Sequence, residues 1–162
     1  MISRTLLSAL AATIVLGNAA QAEVLRHAIP GSDFPISRAV EIPADATLVY
    51  LSGVVPGVTN TDAEPNTAEA FGDTEAQTIS VLERISDTLT DLDLSMSDVV
   101  KMQVYLVADE SGQMDFGGFM SGYVQYFGTE EQPELPTRSV FEVAGLANPN
   151  WLVEIEVVAV RP

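Results

Sequence analysis

The chain has 162 residues, no cysteine, one histidine, and 23 acidic against seven basic residues, for a formal net charge of −16. Those counts exclude disulfides, thiol catalysis and thiolate metal sites, and leave little material for histidine-rich metal centres or serine–histidine triads. A surface this acidic repels phosphate backbones and anionic membranes, so neither nucleic acid nor membrane is an expected partner.

Residues 1–22 carry one charge, Arg4, then an apolar run from Leu6 to Leu16 and the small-residue pattern Ala20-Gln21-Ala22. The run is too short to cross about 30 Å of hydrocarbon as a helix. The pattern predicts a secretory signal peptide cleaved after Ala22, and export of residues 23–162, most directly to the periplasm. Losing Arg4 takes the charge from −16 to −17, which suits solubility in a salty medium. What remains is the size of one domain.

A strand is predicted over 46–56, ATLVYLSGVVP, followed by a polar loop from Pro56 to Asp73. Ile79, Leu82, Ile85, Leu89 and Leu92 then recur at helical spacing, with Thr74 and Gln77 suited to a capping box. Val100, Met102, Val104 and Leu106 alternate with polar residues, as in a strand over 99–109. A second helix around 114–127 gathers Phe116, Phe119, Met120, Tyr123 and Phe127 on one side, a stripe that reads as core. Two final strands, TRSVFEVAG and WLVEIEVVAV, are separated by LANPN. The order strand, strand, helix, strand, helix, strand, strand predicts an α+β fold: a sheet with two helices on one face. Its other face would expose apolar side chains, and self-association would bury them.

Arg138 stands in an otherwise apolar stretch of the penultimate strand. It shares a face with Val140 and Glu142, as Leu152, Glu154, Glu156 and Val158 share a face of the last strand. If those strands form an antiparallel hairpin, Arg138 meets two or three carboxylates. It would then either pair with Glu154 or Glu156, or dock an anion while a surplus carboxylate holds water. His27 and Lys101 read as surface charges.

The ordered set LVYLSGVVP, GDTEAQTISVLERI, SDVVKMQVYL, FGGFMSGYVQYF, PTRSVFEVAGL and VEIEVVAV resembles the reactive intermediate deaminase (RidA/YjgF) family, from about Asp33 to Arg161. The resemblance implies a chorismate-mutase-like protomer and a homotrimer whose sheets form an inner barrel with clefts between subunits. It implies hydrolysis of enamines and imines of 2-oxo acids, such as 2-aminoacrylate, to the oxo acid and ammonia, without metal or organic cofactor. Arg138 matches the arginine that binds the substrate carboxylate, and Glu154 the glutamate that positions water. Gly53 matches a pocket-lining glycine, and Val140 a position that lends its backbone amide. Three departures make the pocket more apolar: Ile36 for a tyrosine, Met120 for an asparagine and Val54 for a glutamine. A carboxylate-binding trimer without catalysis and a holdase-like protein stay open as alternatives. Ribonuclease action, also ascribed to the family, fits poorly with the charge.

Overall fold

The computed structural model describes residues 23–109 and 111–161; the signal-peptide reading of 1–22 lies outside them. Strands β1 (Leu25–Ala28) and β2 (Ser37–Glu41) form a small antiparallel ribbon. Then come β3 (Thr47–Tyr50), a short helix α1 (Ala68–Phe71), the long helix α2 (Thr74–Asp91) and a 3₁₀ turn at Met96–Asp98. Strand β4 (Val99–Val107), helix α3 (Phe116–Tyr123), β5 (Thr137–Val143) and β6 (Val153–Arg161) complete the chain. The main sheet has the order β3-β6-β4-β5 and is mixed: β4 and β5 run parallel, while β6 is antiparallel to both its neighbours.

This order overturns the antiparallel hairpin of the last two strands. A crossover through α3 lays β5 parallel beside β4, as a strand–helix–strand unit must. Strand β6 then takes the other side of β4. The side chains agree with that placement. Met102, Val104 and Leu106 of β4 and Val153, Ile155 and Ala159 of β6 are wholly buried, so these are the inner strands. Strand β5, with Arg138, Ser139 and Glu142, is an edge.

Helix α2 begins one residue earlier than a Thr74 cap implies. Asp73 is the cap, its carboxylate accepting from the Ala76 amide at 2.9 Å. Gln77, instead of closing a capping box, is buried. It donates to the carbonyls of Gly72 and Asn150 and accepts from the Leu152 amide at 2.7 Å, tying α2 to the start of β6. Val81, Leu82, Ile85 and Leu89 face the sheet, whereas Leu92 of the predicted stripe is the exposed C-cap.

Helices α2 and α3 touch through glycine. A Cβ on Gly122 would lie 2.9 Å from Thr78 Cβ and 3.2 Å from the Glu75 carbonyl oxygen. Gly122→Val is therefore expected to lower stability by about 2–3 kcal/mol, because overpacking strain exceeds the modest gain in helix propensity. A fall in the urea midpoint at unchanged slope would register it; an unmoved midpoint would refute the close approach.

The predicted strand over 46–56 is interrupted. The Leu51 amide bonds the Val157 carbonyl at 3.0 Å, and Val54 exchanges bonds with Ile155 at 2.9 and 3.0 Å. Residues 51–54 thus face only 155–157, the extra residue making a bulge that carries Gly53 past the sheet.

Candidate active site

Register decides where the candidate residues point. Arg138 is opposite Met102, and Glu154 is opposite Tyr105. Residues 102 and 105 are an odd number apart on β4, so their side chains leave opposite faces of the sheet. Arg138 lies on the helix side and Glu154 on the open side. A single protomer does not bring them together, and the expected ion pair of Arg138 with Glu154 or Glu156 is absent. Among the described residues Arg26 pairs with Glu134 at 2.7 Å, and His27 Nε2 shares a hydrogen bond with Glu41 Oε1 at 2.7 Å. The surplus of carboxylates expected around Arg138 disappears with the hairpin.

What surrounds Arg138 instead is apolar. Its guanidinium carbon lies 4.2 Å from the ring centroid of Tyr123, 5.0 Å from Phe119 and 5.5 Å from Phe34. Nη2 donates to the Met120 sulfur at 3.2 Å. Nη1 is buried with no acceptor. Burial pushes the guanidinium pKa down, opposed by Tyr123. A cation held on aromatic faces gains attraction from the rings. One arm of its planar donor fork is unsatisfied and the other meets only a thioether, and such a fork suits the two oxygens of a carboxylate.

The fold assembles this box from three places. The stripe on α3 is core, as read: Phe119 and Tyr123 are fully buried. The same two rings also support the arginine, a role that helical periodicity does not distinguish from packing. Tyr123 donates its hydroxyl to the Pro35 carbonyl at 2.9 Å and so pins the Phe34-Pro35-Ile36 turn; burial raises the Tyr123 pKa to about 12, keeping the phenol protonated. Ile36 and Arg138 line one open groove of ≈670 Å³ with Met102 and Lys101. Met120 contacts Arg138 directly, and Val140 follows it on the same face, half-buried against the core. Phe34 was not singled out in the sequence. It sits in an irregular segment, where periodicity gives no signal.

On the open face, Gly53 and Glu154 form the second cluster. A Cβ on Gly53 would overlap the Glu154 carboxylate and lie 2.9 Å from its Cδ. Glycine therefore makes room for the carboxylate at the bulge. Beside it, Tyr105 donates to Glu156 Oε2 at 3.0 Å, accepts from Gln103 at 3.2 Å and stacks on Phe141. The Tyr105 pKa is raised chiefly by that bond to Glu156. Leu48, Tyr50 and Phe141 share this face and are 41%, 72% and 47% exposed. Among the described residues no group of three or more His, Asp or Glu is placed to hold a metal ion.

The sequence profile of the family described as "Endoribonuclease L-PSP" matches residues 28–161. The chain belongs to that family, RidA/YjgF. A candidate reactive intermediate deaminase of Escherichia coli (strain K12), TdcF, is 32% identical over 132 residues, 82% of this chain and 91% of its own length. The 3-aminoacrylate deaminase RutC of Acinetobacter baylyi is 31% identical over 129 residues, 80% of this chain and 91% of that one. A crystal structure of a YjgF-family member from Mycobacterium tuberculosis superposes with a TM-score of 0.52 at 29% identity, over 85% of this chain and 98% of that one. A Rid-family protein from Yersinia pestis gives 0.59 at 26%, over 78% and 86%. The mixed sheet with its helices on one face is this RidA/YjgF fold.

Proposed function

We propose that this RidA-family protein hydrolyses 2-imino and 2-enamino acids to the 2-oxo acid and ammonia, as an exported homotrimer. The observation that carries the proposal is the half-buried Arg138 guanidinium, held against three rings with its Nη1 buried and unsatisfied and no carboxylate partner among the described residues. The names of its relatives as deaminases support the reaction class. Because Glu154 and Gly53 leave the opposite face, a complete site combines Arg138 of one copy with Glu154 of the next. The exposed Leu48, Tyr50 and Phe141 supply the apolar surface for that assembly.

The chemistry needs few parts. Arg138 holds the substrate carboxylate by two N–H donors, fixing the C=N carbon. Glu154 orients a water and takes its proton as the oxygen adds to that carbon. Glu154 passes that proton to the nitrogen, giving the carbinolamine; loss of the hydroxyl proton to the amine through the same carboxylate then breaks the C–N bond, leaving the oxo acid and ammonia. An enamine substrate first tautomerises to the imine, which is already electrophilic, so orientation and charge placement supply much of the acceleration. Ile36, Met120 and Phe34 border the clamp with apolar groups, which favours imino acids with larger apolar side chains.

An amino-acid oxidase would generate the imines of alanine, leucine and phenylalanine in turn, with semicarbazide trapping what survives. Faster oxo-acid release than buffer allows, greatest for leucine or phenylalanine, is the expected result. No acceleration with any of the three, alongside carboxylate binding that persists, would leave a non-catalytic carboxylate-binding protein.

A further inference from the structure

We propose that Met120 is an oxidation site that switches the Arg138 clamp: a sulfoxide at Met120 captures the guanidinium donors and excludes a carboxylate. This rests on the reading of Arg138 as the carboxylate clamp. The Met120 sulfur already accepts from Nη2 at 3.2 Å, yet a thioether is a weak acceptor, and Nη1 beside it is buried with none. A carboxylate therefore displaces the sulfur easily. A sulfoxide oxygen is a strong, compact acceptor on the same side chain, present at every moment and competing from within.

Burial points to the same residue. Met96 and Met102 are 8% and 0% exposed, so Met102 presents no side-chain surface although it borders the groove. Among the described residues, Met114 and Met120 are the methionines only partly covered. Met120 itself keeps part of its surface exposed, and Phe34, the outermost ring of the box, is 42% exposed. With hydrogen peroxide as oxidant, the sulfur lone pair attacks the peroxide oxygen. An S–O bond forms, the O–O bond breaks and water leaves; sulfur loses the two electrons that peroxide gains. The step is reversed by a thiol-dependent methionine sulfoxide reductase, so the switch resets.

The test uses the mature protein carrying Met114→Leu, treated with graded peroxide and read by peptide mass spectrometry. Met120 is expected to gain one oxygen before Met96 or Met102. Two further readouts follow: the Arg138 Nε–Hε resonance by proton–nitrogen NMR, and phenylpyruvate affinity by calorimetry. Oxidation should move the resonance, and reductase should return it. Phenylpyruvate affinity should fall about tenfold or more, the loss of one charge-assisted hydrogen bond. Met120→Leu should make both readouts insensitive to peroxide. The inference is overturned if Met120 is spared when Met96 and Met102 react, if its sulfoxide leaves the Arg138 resonance unmoved, or if affinity is unchanged or tighter after oxidation. Should the untreated protein bind no phenylpyruvate, the clamp reading fails on its own. The resonance and its reversal then decide whether the sulfoxide engages Arg138.

Discussion

Replacing Arg138 by alanine is expected to cut carboxylate binding and imine hydrolysis by at least about 30-fold while the protein stays folded. Each hydrogen bond to a charged group is worth about 1.5–3 kcal/mol, and a guanidinium offers a carboxylate two. The fold survives because no described carboxylate leans on Arg138, so its removal strands no buried charge. What goes is the attraction of the cation to Tyr123, Phe119 and Phe34, about 0.5–2 kcal/mol. Against it stands relief from burying a cation whose pKa is already pushed down by desolvation. Arg138→Met would fill the same box without a charge and should match or exceed the parent in melting temperature. Arg138→Lys keeps the charge but not the fork, and should fall between. Calorimetric titration with phenylpyruvate, ammonia release and thermal melts measure the three. Undiminished binding in the alanine variant, or unfolding of both the alanine and methionine variants, would make Arg138 structural.

The contrast between the two clusters explains what could be read from residues alone. The inner strands carry their own signature, since alternation in β4 at Val100, Met102, Val104 and Leu106 is a local property that burial then satisfies. Helix α2 is legible for the same reason. Strand partnership is not local. LANPN looks like a hairpin turn, yet whether β6 folds back on β5 or passes to the far side of β4 depends on the α3 crossover, and the two outcomes put Glu154 in different company. The role of Arg138 as a clamp came from the resemblance, while its surroundings came from the fold. Phe34 and Tyr123 are recognisable as its walls only once the turn before β2 is seen pinned to α3. Capping has a similar cause: Gln77 has the spacing for a box, but the side-chain oxygen that a box would aim at the cap amide accepts instead from the Leu152 amide at the start of β6.

A mixture of two inactive variants is expected to recover activity, because Arg138 and Glu154 leave opposite faces of one sheet. Arg138→Ala lacks the clamp, and Glu154→Gln lacks the group that takes the proton from water, a loss of about 10²–10⁴-fold for a general base. Each homo-oligomer is then close to silent. In a closed ring, every site pairs the arginine side of one copy with the glutamate side of its neighbour. When the variants are unfolded together in equal amounts and refolded, a site is whole only if its first copy keeps Arg138 and its second keeps Glu154. Each condition holds half the time, so about a quarter of the sites, and of the parental rate, should return. Mixing without unfolding should restore nothing on the timescale of a stable assembly. A site contained in one protomer predicts the opposite, since every copy in the mixture lacks one essential group and no arrangement of copies supplies it. Failure to recover activity, with mixed oligomers demonstrated by mass, would therefore exclude a site shared between subunits. Recovery would give the open face of the sheet its role: it carries the carboxylate half of the neighbour's site, and the exposed aromatic residues around Glu154 are the surface that delivers it.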